Sequence, residues 1–212
     1  MPIVREINPS GEIRAGIWHV TESAGELLSL VHLDESEQIR YESFSHDLRK
    51  RHWLAYRALL RHLLFPLPPG IFYDNNGKPL LSSGSHHISV SHSGEFAAAA
   101  CCEVHAVGID IEQLKGRVER VKERFLSPSE LASINQENRI EQLYIRWCGK
   151  EALYKLNGKP ELDFRNDIHI HPFDYLCNTN RTCMATLRLN DTPLEYQLYY
   201  EKIEEYMLVV AY

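Results

Sequence analysis

The sequence predicts an α+β protein of two similar α/β lobes, each a small, mainly antiparallel sheet packed on a long helix, with a pseudo-twofold axis relating them. Three observations carry this. Two segments, about 45–65 and about 140–156, are apolar at helical spacing; in the first, Leu48, Trp53, Leu54, Ala58, Leu59, Leu63 and Leu64 share one broad face. Each is followed by alternating stretches that close as strand pairs, 88–102 and 196–212. The chain also echoes itself in that order. Ala15-Gly16-Ile17-Trp18-His19-Val20 aligns with Val107-Gly108-Ile109-Asp110-Ile111-Glu112, and the run from Trp53 aligns with the run from Trp147. Gly16 to Arg57 is 41 residues and Gly108 to Glu151 is 43, so spacing repeats as well as order. The expected lobes are 1–105 and 106–212.

The elements follow in order. Residues 15–20 read as a strand and 25–31 as a short helix. Asp34-Glu35-Ser36-Glu37 opens another helix, with acids where the positive end of the helix dipole favours them. Pro66, Pro68, Pro69 and Gly70 stop the first long helix. Asp74-Asn75-Asn76-Gly77-Lys78-Pro79 is a hairpin tip or tight loop, because Asn-Gly readily takes the backbone angles of a turn. Ile88 to His92 alternates, and the apolar run Phe96 to Cys102 follows a Ser-Gly turn. A polar linker after Glu112 leads to a helix over 118–125. Ser127-Pro128-Ser129-Glu130 starts the next helix, with Ser127 as cap and Glu130 as its reciprocal partner. Asn157-Gly158-Lys159-Pro160 ends the second long helix, and from Asp167 the chain alternates as β-structure over 169–171, 184–189, 196–203 and 207–212.

Bulk properties narrow the function classes. A net charge of −6 argues against a general nucleic-acid binder. No apolar run is long enough to span a bilayer, and Met1 to Glu6 lacks the build of a signal peptide, so a cytoplasmic protein is expected. Cys101 and Cys102 are adjacent, Cys148, Cys177 and Cys183 are scattered, and no Cys-x-x-Cys occurs; buried reduced thiols fit this pattern. His169-Ile170-His171 has the spacing of a strand metal pair, but with no third ligand in view it reads as two polar strand residues.

The chemistry sits between Val107 and Lys155. Asp110 and Glu112 alternate with Ile109 and Ile111, which puts both carboxylates and Gly108 on one face of a strand. Gly108 leaves room there for something to approach the backbone. Trp147, Glu151 and Lys155 recur every four residues and so share a helix stripe. If that helix crosses the carboxylate face, three acids converge with a lysine beside them. Such a cluster needs a cation, and hard oxygen donors without His or Cys suit Mg²⁺ and a phosphate ligand.

Together the two motifs resemble the signature of the 4′-phosphopantetheinyl transferases, a family carrying a Gly-x-Asp-x-Glu strand and, some forty residues on, a Trp-x-x-Lys-Glu-Ala-x-x-Lys helix. The full-length duplication is similar to the larger, pseudo-dimeric, surfactin-synthetase-activating type. The resemblance implies transfer of the 4′-phosphopantetheine arm of coenzyme A to a serine of an apo acyl or peptidyl carrier protein, with release of adenosine 3′,5′-bisphosphate. It implies Asp110, Glu112 and Glu151 as ligands of Mg²⁺, with Mn²⁺ as an alternative ion. Either Glu151 or a water on the metal takes the serine proton. Lys155 reaches the pyrophosphate or the departing oxygen. Lys150, about 100° round the helix from Glu151, is placed with the phosphate contacts, a surface lysine being the competing reading. Trp147 belongs with the core.

The first lobe is expected to hold the nucleotide end of coenzyme A. The family's Gly-Lys-Pro loop and Ser-His-Ser turn are here Gly77-Lys78-Pro79 and Ser91-His92-Ser93. Lys78 and His92 would meet the 3′-phosphate or adenine, with Pro79 and Ser91 beside them and Arg51 as a phosphate-binding cation. Trp18, Val20 and Arg57 stand where the second copy has its acids, so the first copy is expected to offer cations across a cleft. The second lobe would also dock the carrier. Between Gln113 and Phe125 lie Lys115, Arg117, Arg120, Lys122 and Arg124 against Glu119 and Glu123, with Val118, Val121 and Phe125 at helical spacing. A basic, partly apolar helix suits an acidic carrier protein. After Lys155 the chain departs from the family's Gly-x-Gly-Leu-type turn. A monomer without nucleic-acid or membrane partners is expected. A non-catalytic relative that binds coenzyme A or a carrier protein is the alternative, although its usual mark, loss of an acid or of the helix lysine, is not seen.

Overall fold

The computed structural model describes residues 3–66, 70–159, 161–176, 181–190 and 192–212. The chain divides into two compact units, Met1–Ala106 and Val107–Tyr212.

The first unit runs β1 (Ile3–Ile7), β2 (Ile13–His19), α1 (Ala24–Leu28), α2 (Glu35–Glu42), α3 (Asp47–Leu63), β3 (Ile71–Tyr73), β4 (Pro79–Leu81), β5 (His87–Ser93) and β6 (Phe96–Cys102). Its main sheet has the order β1-β2-β6-β5, antiparallel throughout, and β3 and β4 form a separate hairpin around the Asp74–Lys78 turn. The apolar face of α3, with Leu54, Leu59, Leu60 and Leu63 buried, packs on the sheet through Ala97, Ala99 and Cys101. Small residues in β6 let the helix lie close. Reciprocal capping boxes start both short helices, Ser23 with Glu26 and Asp34 with Glu37.

The second unit runs β7 (Gly108–Gln113), α4 (Val118–Phe125), α5 (Pro128–Ala132), α6 (Arg139–Asn157), β8 (Ile168–Ile170), β9 (Thr182–Leu189), β10 (Thr192–Ile203) and β11 (Tyr206–Ala211). Its sheet has the order β7-β11-β10-β9-β8, again antiparallel. Ser127 and Glu130 form the expected capping box, and Gly158 takes the left-handed angle that ends α6, φ 70°.

The two units repeat one topology. In each, the strand bearing the repeated glycine pairs with the last strand of a hairpin, β2 with β6 and β7 with β11, and a long helix lies on that strand. The antiparallel α+β architecture of sheet on long helix is therefore present twice.

One strand, β1, carries no clear signal in the sequence. It is an edge strand with Val4, Arg5 and Glu6 all exposed and an irregular register against β2, so alternation never develops. Pro68, Pro69, Pro160 and Cys177 lie outside the described residues. The other cysteines, Cys101, Cys102, Cys148 and Cys183, are buried free thiols. Among the described residues, no helix is long and apolar enough to cross a membrane.

Candidate active site

The face of β7 that carries Gly108, Asp110 and Glu112 meets α6, and the glycine is what permits it. A Cβ at Gly108 would stand 1.9 Å from the Ala152 carbonyl oxygen, so the helix backbone rests directly on the strand. That crossing brings Glu151 and Lys155 to the two strand acids. Lys155 Nζ donates to Asp110 Oδ1 at 2.7 Å and to the Ile109 carbonyl at 3.2 Å. Asp110 is only 4% exposed. Glu151 is pushed up to about 7, first by burial and then by the charge of Asp110, with a smaller push from Glu112; Lys155 opposes them. Beside the acids on the same face, β11 presents buried Met207 opposite Glu112 and Val209 opposite Asp110, apolar neighbours that lower the local dielectric. Arg117, at the start of α4, reaches Glu112 at 3.8 Å.

Cys148 joins this cluster without any signal in the sequence. Its thiol is fully buried in α6, and burial, then the charges of Asp110 and Glu112, hold it well above the ordinary thiol range. It is a neutral floor to the site, not a nucleophile.

Lys150 is a correction. It does not stand among phosphate contacts or on the surface. Its ammonium is fully buried, 2.9 Å from Glu130 Oε2, and donates to the carbonyls of Phe125, Phe164 and Ile168 at 2.8, 2.7 and 2.6 Å. Lys150 sits on the same stripe of α6 as Leu143, Arg146 and Leu153, which turns it inward, away from Glu151. Trp147, expected in the core, is half-buried and packs with Phe125 and Phe164.

In the first unit the cations are arranged differently from the simple expectation. Arg57, the counterpart of Glu151, is buried and committed to Glu37 at 3.1 Å and to the hydroxyls of Tyr56 and Tyr73, with its guanidinium 3.3 Å from the Trp53 ring centroid. Trp18 and Val20 are core. Arg57 thus holds the unit together and is not offered to a ligand. Arg51 pairs with Asp47 one turn earlier at 3.0 Å and keeps 28% of its side chain exposed. Lys78 is half-buried, which lowers its pKa, and its backbone N–H donates to Asp74 Oδ1. Pro79 opens β4, which neighbours β5; there Ser91 is buried and His92 exposed.

Comparison with known proteins bears on these motifs. A family profile described as the 4′-phosphopantetheinyl transferase superfamily matches residues 106–211, the stretch that holds β7 and α6. The chain belongs to the 4′-phosphopantetheinyl transferase superfamily. Among its relatives are the 4′-phosphopantetheinyl transferase AcpT of Escherichia coli K12, 33% identical over 119 residues (52% of this chain, 59% of that protein), and psf-1 of Bacillus pumilus, 32% identical over 160 residues (71% and 65%). HetI of a Nostoc species is 29% identical over 141 residues (59% and 60%). The match thus spans about three-fifths of these relatives' own length. The likeness to psf-1 is longer than either unit and so reaches into both.

Transferases of this superfamily imply a divalent metal, and the cluster can be tested for it. The donors Asp110, Glu112 and Glu151 are all hard oxygens, and with Lys155 they leave a local excess of negative charge in a largely buried place; burial first, and then that charge, raises Glu151. Among the described residues, no group of three or more His, Cys, Asp or Glu stands arranged as a metal shell, and Lys155 engages the near oxygen of Asp110. The set fits Mg²⁺ in charge and donor type, but its oxygens do not stand as a ready-made shell.

Sequence reasoning also missed His52. It is buried in α3, stacks on His92 and hydrogen-bonds the Gly94 carbonyl. Burial pushes its pKa below 6.5, against the Gly94 bond, and the charge of Arg51 adds to the depression. Between that lowered value and 6.5 the unfolded chain binds more protons than the folded one. The ring's contribution to stability is therefore complete above 6.5 and is lost as pH falls through the lowered value. Urea midpoints of the wild type and His52→Gln across about pH 5 to 8 check this: the wild type should lose more stability on the acid side, and parallel profiles would refute it.

Proposed function

We propose that this protein transfers the 4′-phosphopantetheine arm of coenzyme A to a serine of an apo acyl or peptidyl carrier protein in the cytoplasm. The observation that supports the reading best is the meeting of Asp110, Glu112, Glu151 and Lys155 where α6 crosses β7. The serine oxygen attacks the β-phosphorus of the pyrophosphate, the bond to the bridging oxygen breaks, and adenosine 3′,5′-bisphosphate leaves with the electron pair.

Each residue has a part in this. Asp110, Glu112 and Glu151 would hold Mg²⁺, which supplies charge stabilisation for the pyrophosphate. Lys155 carries positive charge to the departing oxygen and holds Asp110 in place. Glu151 has the carboxylate that can accept the serine proton. In the first unit Lys78 and His92 meet the nucleotide end, with Arg51, Pro79 and Ser91 beside them.

Helix α4 suits carrier docking in a revised form. Val118 and Phe125 are buried and Lys122 is paired with Glu119 at 2.9 Å, so the apolar side anchors the helix. Lys115, Arg117, Arg120 and Arg124 stay exposed for an acidic partner.

With coenzyme A and Mg²⁺, a panel of apo carrier proteins from fatty-acid, polyketide and peptide synthesis should contain one that gains the phosphopantetheine mass. Asp110→Ala and Glu151→Ala should each slow that conversion by about 10³-fold or more, the value of several kcal/mol of lost charge stabilisation. Normal turnover by either variant would refute the ligand assignment. Binding of coenzyme A without transfer to any carrier would favour a non-catalytic relative.

A further inference from the structure

We infer that His52 is a positioning residue for His92: it fixes the ring and the following turn in the orientation that meets the 3′-phosphate end of coenzyme A. This rests on the reading of His92 as a contact to that end.

His52 lies on the inward side of α3 and is 4% exposed. A buried imidazole needs a partner to offset its lost hydration, and both partners of His52 belong to one short stretch of chain forty residues on. Its ring stacks on that of His92 with centroids 4.5 Å apart and planes 15° from parallel. Its Nε2 is 2.8 Å from the Gly94 carbonyl oxygen. A carbonyl can only accept, so Nε2 carries the hydrogen and donates. One side chain therefore grips the backbone of the β5–β6 turn and supports the ring that precedes it.

Two consequences follow for ligand binding. An exposed histidine at a strand end ordinarily samples several rotamers, and ordering it on binding costs affinity. The stack on His52 contributes to that order in advance. His52 also does so as a neutral ring, because burial disfavours its charged form. The His92 ring then faces a neutral neighbour, where a second imidazolium would add like-charge repulsion. Neither substitute reproduces both contacts: Phe would stack without holding Gly94, and Gln could hold Gly94 without stacking.

The test has two readouts. In calorimetry with adenosine 3′,5′-bisphosphate and adenosine 5′-monophosphate, His52→Ala should weaken the bisphosphate about 3- to 10-fold and leave the monophosphate unchanged. In a His92→Ala background the same change should add nothing. His52→Phe should keep part of the preference, and it serves in place of the alanine variant if that one fails to fold. In NMR of the unliganded protein, the ring-current shift on the His92 imidazole should collapse in His52→Gln and persist in His52→Phe. Additive losses for the two alanine variants, or a His92 shift indifferent to His52, would overturn the positioning role. If His92→Ala leaves the bisphosphate preference intact while the NMR shift behaves as expected, it is the ligand role of His92 that fails.

Discussion

Lys150→Met should cost about 3–5 kcal/mol of stability, the usual result of breaking a fully buried ion pair by removing one partner. The ammonium stands amid four acceptors drawn from separate segments: the end of α4 at Phe125, the first turn of α5 at Glu130, the connection after α6 at Phe164, and β8 at Ile168. Glu130 is equally buried and also accepts from the backbone N–H groups of Ser127 and Ile170. Methionine matches the lysine stem in length, so the loss would come from an uncompensated carboxylate and undersupplied carbonyls, not from a cavity. Urea unfolding measures it. A Lys150→Met/Glu130→Gln double variant should lose less than the sum of the single losses, since the charge left behind is then neutralised. A single variant within about 1 kcal/mol of wild type would show that the pair is dispensable.

Gly108→Ala should be nearly as damaging to activity as loss of a carboxylate. The added methyl would fall 1.9 Å from the Ala152 carbonyl oxygen, an atom of helix backbone that no rotamer change can move. α6 must shift off β7, and it carries Glu151 and Lys155 with it. A displacement of about 1 Å in a positioned site is worth on the order of 10² in rate, with a stability loss of about 3 kcal/mol at the upper end of overpacking. Gly16→Ala is the natural control. Its methyl would meet the end of the Leu59 side chain at 2.9 Å, which can rotate away, so a much smaller stability loss is expected. The two variants are compared by holo-carrier formation and thermal unfolding; equal behaviour would mean that the β7–α6 contact does not set the site.

Local chemistry made much of this readable from the sequence. The Ser127–Glu130 box, the helix over 118–125 and the alternation around Asp110 depend on residues close in the chain, and all appear in the fold. The crossing of α6 over β7 was legible because Gly108 and the four-residue stripe of Glu151 and Lys155 each point to a close contact. What stayed hidden depends on distant partners. Lys150 reads as one of two consecutive charges until Phe125, Phe164 and Ile168 are brought round it. Arg57 reads as a free cation until Glu37 arrives from α2. The signal available for both was position: each charge falls on the apolar stripe of its helix, among Leu54, Leu60 and Ala58 for Arg57 and Leu143 and Leu153 for Lys150. His52 gave less, since a histidine beside Arg51 on a helix looks solvated.

The pairing of Asp110 with Val209 links β7 to a strand from the far end of the second unit. In the sheet order β7 stands next to β11. Such a ladder closes a very long loop, and contacts of that kind form slowly. β11 stands between β7 and β10, so the carboxylate strand is held in place by a pairing that spans almost the whole of the second unit, and the competence of the site depends on that distant closure.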